Sequence, residues 1–268
     1  MFCFLACSLP WVSDNGWTDP QILGAKLSMK IILTSVALLV TGSVVFGDDN
    51  SATAEKSFDA PRGLKVSVKV IGPYAEPADL QIICLFKHKP DGDIYRGAAK
   101  DTDEHLHGIL SALRNRGEFV GELGETFLFT PPSGSIPAKR FMVIGLGDEK
   151  DLSLDALHPV GRIAAREAVR LQAKHVAWAP VIRDEGNTDI DVGAGDRAFI
   201  EQLITAYDTE KRLQEQGLAP TFSIENVVIE AGPTYFEDAA KQVGEGIKSV
   251  AGQLTERNGT RYSSAKMQ

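Results

Sequence analysis

Apolar residues follow two rhythms along this chain. In "LKVSVKV" (64–70) they alternate with polar ones, the period of a half-exposed strand. "LQIICLF" (80–86) is almost wholly apolar, as expected of a strand covered on both faces. A three-to-four spacing then takes over at 101–116, where Leu106, Ile109, Leu110 and Leu113 share a stripe and Gly117 marks a stop, predicting a helix. Strands are predicted at 125–130 ("ETFLFT") and 140–146 ("RFMVIGL"), joined by the turn-rich "PPSGSIPAK". A helix over 154–171 follows, and Pro159 within it requires a later start or a kink. Next come a strand at 175–181, a helix over 195–216 with Phe199, Ile200, Leu203, Ile204 and Tyr207 on one stripe, and a strand at 222–230. In the last helix Thr234 and Glu237 spell the T-x-x-E of a capping box, and Phe236, Ala240, Val243, Ile247, Val250 and Leu254 repeat at three or four. Strands alternating with helices predict an α/β domain, a sheet with helices on both faces.

The N-terminal segment follows another logic. Lys30 precedes the apolar run "IILTSVALLV" (31–40), and small residues follow near 45–47 and 52–54. A positive residue, an apolar run of about ten and a small-residue cut site make a signal peptide at 29–47, with an uncleaved anchor as the alternative. Residues 1–28 fit no such pattern and are expected to be an extension upstream of a true start at Met29. The polar, small "DDNSATAEKSFDAP" (48–61) reads as a disordered leader, residues 62–256 as the folded domain and 257–268 as a polar tail.

These boundaries give the composition its meaning. Of the three cysteines only Cys84 follows the signal segment, so neither an internal disulfide nor a cysteine metal site is expected. The 268 residues carry a formal net charge of −8. That balance offers no general attraction to nucleic acid or to anionic lipid, and no membrane contact is expected after signal cleavage.

Chemistry-bearing clusters are few. "RFMVIGLGDEK" runs from an apolar strand into a Gly-x-Gly turn, which makes Gly145, Gly147 and Lys150 the ligand-binding candidates. A dinucleotide fingerprint needs a third glycine where Lys150 stands, and Asp148 and Glu149 put negative charge where a pyrophosphate would lie, so a structural turn is the stronger reading. In "DTDEHLH" (101–107) the two histidines are two residues apart and diverge on a helix; Asp103 and His107 could pair at i, i+4, and Asp101 and Glu104 suit a helix start. "RDEGNTDIDVGAGD" (183–196) lacks the spacing of a calcium loop and reads as a solvated acidic loop. Ser133 and Ser135 have no G-x-S-x-G frame, and Cys84 reads as a core residue.

Three longer phrases carry a resemblance: "GEFVGELGETFLFTPPSGSIPAKRFMVIGLGDEKDLSLDALHPVGRIAAREAV" (117–169), "AFIEQLITAYDTEKR" (198–212) and "AAKQVGEGIKSVAGQLTERNGT" (239–260). Together they resemble the N-terminal domain of the leucyl aminopeptidases, the cytosol aminopeptidase family, over about 62–262. The resemblance implies a single three-layer domain, a mixed sheet flanked by helices and related to the macrodomains that bind ADP-ribose. It does not imply the activity. In that family two divalent metals and the catalytic groups sit in a C-terminal domain marked by N-T-D-A-E-G-R, a motif absent here. No catalytic residue, metal ligand or cofactor is therefore expected.

The resemblance also implies a supporting role, since in the family this domain assists oligomer assembly and, in some bacterial members, DNA binding. The leading expectation is an exported (periplasmic or extracellular) non-catalytic module that binds an unidentified protein partner or itself, with no nucleic-acid contact. Alternatives are a macrodomain-like binder of nucleotide or ADP-ribose, and an aminopeptidase by homology only or as half of a split enzyme.

Overall fold

The computed structural model describes residues 54–259. The expected extension (1–28), signal peptide (29–47), first part of the leader (48–53) and end of the tail (260–268) lie outside the described residues.

Seven strands form one sheet: β1 (Glu55–Asp59), β2 (Lys65–Val70), β3 (Leu80–Leu85), β4 (Thr126–Phe129), β5 (Phe141–Gly145), β6 (His175–Ala179) and β7 (Asn226–Ala231). Their spatial order is β1-β2-β7-β6-β3-β5-β4. The five inner strands are parallel and the two edges, β1 and β4, run antiparallel to their neighbours, so the sheet is mixed, as the resemblance implies.

The apolar run of β3 is explained by its position. Ile82 and Cys84 join the core under α3 (His158–Arg170), α4 (Val192–Glu215) and α5 (Phe236–Gly259), while Ile83 and Leu85 join the core under α1 (Gly97–His105) and α2 (Ile109–Asn115). Successive side chains point to opposite faces, and both faces are covered. The stripes predicted on α4 and α5 fill the first core, where Trp178 of β6 stacks on Phe199 with ring centroids 4.0 Å apart. Among the described residues no helix is long and apolar enough to cross a membrane.

The structure corrects the expected boundaries. Residues 55–59 are no disordered leader: they pair along β2 from Glu55↔Lys69 to Asp59↔Lys65, so the folded unit begins before residue 62. With β1 alongside, β2 is more buried than its alternation predicts, and Ser67 lies buried against Ser57 at 3.0 Å. The helix expected over 101–116 is two, broken where His107 and Gly108 adopt positive φ. Its apolar stripe runs on across the break, which hides it from periodicity.

Pro159 stands in the first turn of α3, where its missing N–H costs nothing, so the helix starts late rather than kinking. Helix α4 begins earlier than expected because the Asp191 carboxylate accepts from the Ala194 N–H at 3.0 Å. Strand β7 starts later than expected, at Asn226. Helix α5 begins at Phe236, and the Tyr235 carbonyl accepts its first bond from Ala239. Thr234 therefore stands one residue too early for the capping box. The helix also runs through Gly259, into the expected polar tail.

Candidate functional site

The five parallel strands end along one edge of the sheet. From that edge β3 leaves towards α1 and α2 on one face, whereas β6 and β7 leave towards α4 and α5 on the other. Where connections part in this way a crevice is left beyond the strand ends. Here it is a cleft of about 350 Å³ at the ends of β2, β7 and β6, walled by residues 70–74, by Ala98 and Asp101 of α1, by 179–181 with Arg183 and Asp184, and by 230–233 with Tyr235.

Most of the lining is apolar, so its polar groups stand out. Glu230, the penultimate residue of β7, is only 4% exposed. Its Oε2 accepts from Gln81 Nε2 at 2.8 Å, while its Oε1 and the Gln81 Oε1 are buried with no hydrogen-bond partner among the described residues. Burial pushes the Glu230 carboxyl up to about 8; Glu76 adds to the rise, and the Gln81 bond and the Lys69 charge oppose it. Lys69 is itself paired with Glu76 at 3.0 Å.

Asp184 accepts from the Ala99 N–H at 3.0 Å, and its carboxyl is raised by burial and by neighbouring Asp101. Arg183, on the same wall, donates to the carbonyls of Thr188 (3.3 Å) and Ile190 (3.0 Å). Tyr74 stacks on His105, with centroids 4.3 Å apart and planes 10° from parallel.

The turn expected as a ligand loop lies elsewhere. Gly145 ends β5 with its N–H on the Glu125 carbonyl (2.8 Å) and its own carbonyl on the Gly124 N–H (2.9 Å). A Cβ there would lie 2.1 Å from the Glu122 carbonyl oxygen, so the strand end is already packed against backbone. Gly147 has φ +76 and bonds to Gly121 and Lys87 at 2.9 and 2.8 Å. Lys150 is exposed in the 3-10 turn that follows, beside Glu149, which pairs with Lys89. None of the three residues lines the cleft.

The acidic clusters are also used structurally. Asp103 accepts from the Leu110 N–H at 2.9 Å and from Ser111, so it caps α2 rather than pairing with His107. The 183–196 segment is less solvated than expected. Glu185 is buried, accepts from the Phe86 N–H at 2.9 Å and is pushed up to about 8, chiefly by burial, and Asp196 is fully buried in α4. Cys84 is buried in the core. Among the described residues no group of three or more His, Cys, Asp or Glu could hold a metal ion.

Sequence reasoning missed Glu230, Asp184, Tyr74 and the role of Asp101 in the cleft. A carboxylate at the end of the apolar "NVVIE" was a visible signal, but its partner Gln81 lies 149 residues away.

This architecture is that of a macrodomain-like three-layer α/β domain. A macrodomain of Oceanobacillus iheyensis solved with ADP matches with TM-score 0.53 at 11% identity, over 76% of this chain and all of that one. A mutant tomato leucine aminopeptidase matches with TM-score 0.55 at 20% identity, over 79% of this chain and 41% of that one. At these identities the likeness shows the fold. Sequence adds a further likeness: residues 82–202 match the model for the N-terminal domain of the cytosol aminopeptidase family. Two relatives named "Probable cytosol aminopeptidase" are similar. That of Alkaliphilus oremlandii is 37% identical over 87 residues, 32% of this chain and 17% of its own length; that of Alkaliphilus metalliredigens is 31% identical over 117 residues, 44% and 20%. The chain thus matches about a fifth of these relatives' length.

Proposed function

We propose that this chain is an exported, non-catalytic binding domain that takes a small ligand in the cleft beyond β2, β7 and β6. One observation carries the reading: a largely apolar crevice at the strand ends, of the size small-molecule sites have, is lined by Glu230, whose buried carboxyl has an oxygen with no partner among the described residues. An unpaired buried acceptor is costly, and a bound donor removes that cost. Export is supported by the signal-like 29–47 segment, and freedom from nucleic acid by the net charge of −8.

The first test is thermal unfolding of the full chain with ADP-ribose, nucleotides, leucine, small amines and Zn²⁺ or Mn²⁺ in turn. A ligand at 100 times its Kd adds about 2.7 kcal/mol, a rise of a few degrees here. A rise with one of the organic ligands is expected; none with any of them would overturn the cleft reading. Hydrolysis of a leucyl anilide by the purified chain with either metal would overturn the non-catalytic reading. Cell fractionation tests export, which fails if the unprocessed chain stays in the cytosol.

A second reading, assembly with a protein partner or with itself, is favoured by one feature. Among the described residues strand β4 is an edge strand with a neighbour on one side only, and its Phe127, Leu128 and Phe129 are only partly buried. Unpaired strand edges template further pairing. Sedimentation of the chain tests it: self-association lost on Leu128→Lys supports the edge, and a monomer that recovers no partner from its native source counts against it.

A further inference from the structure

We propose that the cleft takes a small organic cation, an ammonium or guanidinium head on an aliphatic stem, held by Glu230, Asp184 and Asp101. The inference rests on the cleft being a binding site and assigns its ligand a charge opposite to that of ADP-ribose.

With Glu230 ionised, what the floor lacks is a donor. Glu230 Oε2 is already satisfied by Gln81, which lies off the lining, and Glu230 Oε1 is a buried acceptor with no partner among the described residues. An N–H-bearing head meets that need, whereas the pyrophosphate of ADP-ribose, which brings only acceptors, does not.

The walls agree in sign. Asp184 and Asp101 add two carboxylates, and Asp184 already takes the Ala99 N–H. Among the described residues the one basic side chain on the lining is Arg183; it spends two of its five N–H donors on the Thr188 and Ile190 carbonyls, and its Nε is buried with no partner there. Three carboxyl groups thus stand against one guanidinium.

Helix α4 starts at the cleft with Val192, and a helix N-terminus is the usual seat for a phosphate. Here that seat is filled by the chain itself, because Asp191 caps the Ala194 N–H. Asp238, in the first turn of α5, brings a further carboxylate close to Asp191, and its carboxyl is raised by burial and by that neighbour. Tyr74 and Tyr235 give the walls aromatic surface on which a cation and its methylenes can rest.

The test is isothermal titration and backbone-amide NMR on the full chain, with 1,5-diaminopentane, agmatine, acetyl-lysine amide, choline and ADP-ribose. Diaminopentane or agmatine is expected to bind, with shifts centred on Tyr74, Ala98, Asp184 and Glu230. Choline, a cation without N–H donors, is expected at least tenfold weaker. Glu230→Gln replaces the carboxyl by a group of the same shape and is expected to weaken the amines at least tenfold while the chain stays folded. Asp101→Asn, on the outer wall, gives a second variant with a several-fold loss.

Tighter binding of the free diamine assigns a free amine as the source of the head group; tighter binding of acetyl-lysine amide assigns a peptide side chain. ADP-ribose bound in the cleft with no amine bound would overturn this inference and leave the binding-site reading standing. No ligand bound at all would overturn both. Amine binding that both variants leave unchanged, or that shifts residues elsewhere, would reduce the effect to general attraction to an acidic surface and overturn the inference.

Discussion

Two ends of the same sheet edge met different fates. After β5 the chain turns through Gly145 and Gly147, and the space a ligand would need is filled by the backbone of 121–125. After β2, β7 and β6 the space stays open, and a carboxylate with an unused oxygen sits at its floor. The glycine signature marks the closed end and the buried acid marks the open one. Glycine records how near another backbone comes, whether that backbone is a ligand's cradle or the protein's own packing. An unpaired buried acid carries a free-energy cost that packing alone does not explain.

Four measurements can break this contrast. Gly145→Ala is expected to have the largest effect, since the added carbon meets backbone that cannot step aside; a loss of about 3 kcal/mol or more in urea unfolding is expected. An unchanged midpoint would mean the closed end has room after all.

Glu230 has the next largest effect, and it depends on pH. Its folded carboxyl titrates near 8, against about 4.5 when unfolded. Below 4.5 both states are protonated and no stability is lost. As pH rises from 4.5 to 8 the unfolded state releases its proton first, so stability falls, by on the order of 1 kcal/mol per pH unit. The groups facing Glu230 are Gln81 of β3, Lys69 of β2 and Glu76 of the loop that follows β2. Glu185 adds a fall over the same range, but equally in wild type and variant. Relative to wild type, Glu230→Gln is therefore expected to be about 2–3 kcal/mol more stable at pH 8.5 than at pH 5. A pH-independent difference would show Glu230 to be solvated and the open end to be ordinary surface.

Gly147→Ala places a side chain at φ +76 and should cost about 1–2 kcal/mol by the same unfolding assay. Lys150→Ala is expected to change stability by no more than about 0.5 kcal/mol and to leave every ligand affinity unchanged. A lost affinity there would move the site to the turn.

The elements with strong rhythms were legible: β3, β5, β6 and the buried stripes of α4 and α5 lie where their spacing puts them. Strand β1 was not, because "EKSFD" has one apolar residue, Phe58, and its place comes from backbone pairing along β2. Nor was the break at His107 and Gly108, because Leu106, Ile109 and Leu110 keep helical spacing on either side of it. The turn could be read locally, and its poor fit to a phosphate loop was visible in Asp148, Glu149 and Lys150. The cleft could not. It is assembled from strand ends and loops far apart in the chain, and Glu230 on its lining is held from behind by Gln81, 149 residues away.

The antiparallel run of β1 also decides where the polypeptide enters the domain. The Ala54 carbonyl accepts from the N–H of Val70, and Val70 lines the cleft. A short tag fused directly ahead of Ala54 in a chain starting there would be tethered at that rim, at an effective concentration on the order of millimolar. Helix α5 starts beside the same rim and carries the chain away over 24 residues, roughly 35 Å. A basic affinity tag fused close before Ala54 would thus compete in cis for an acidic cleft, whereas the same tag placed after α5 would report on a vacant one.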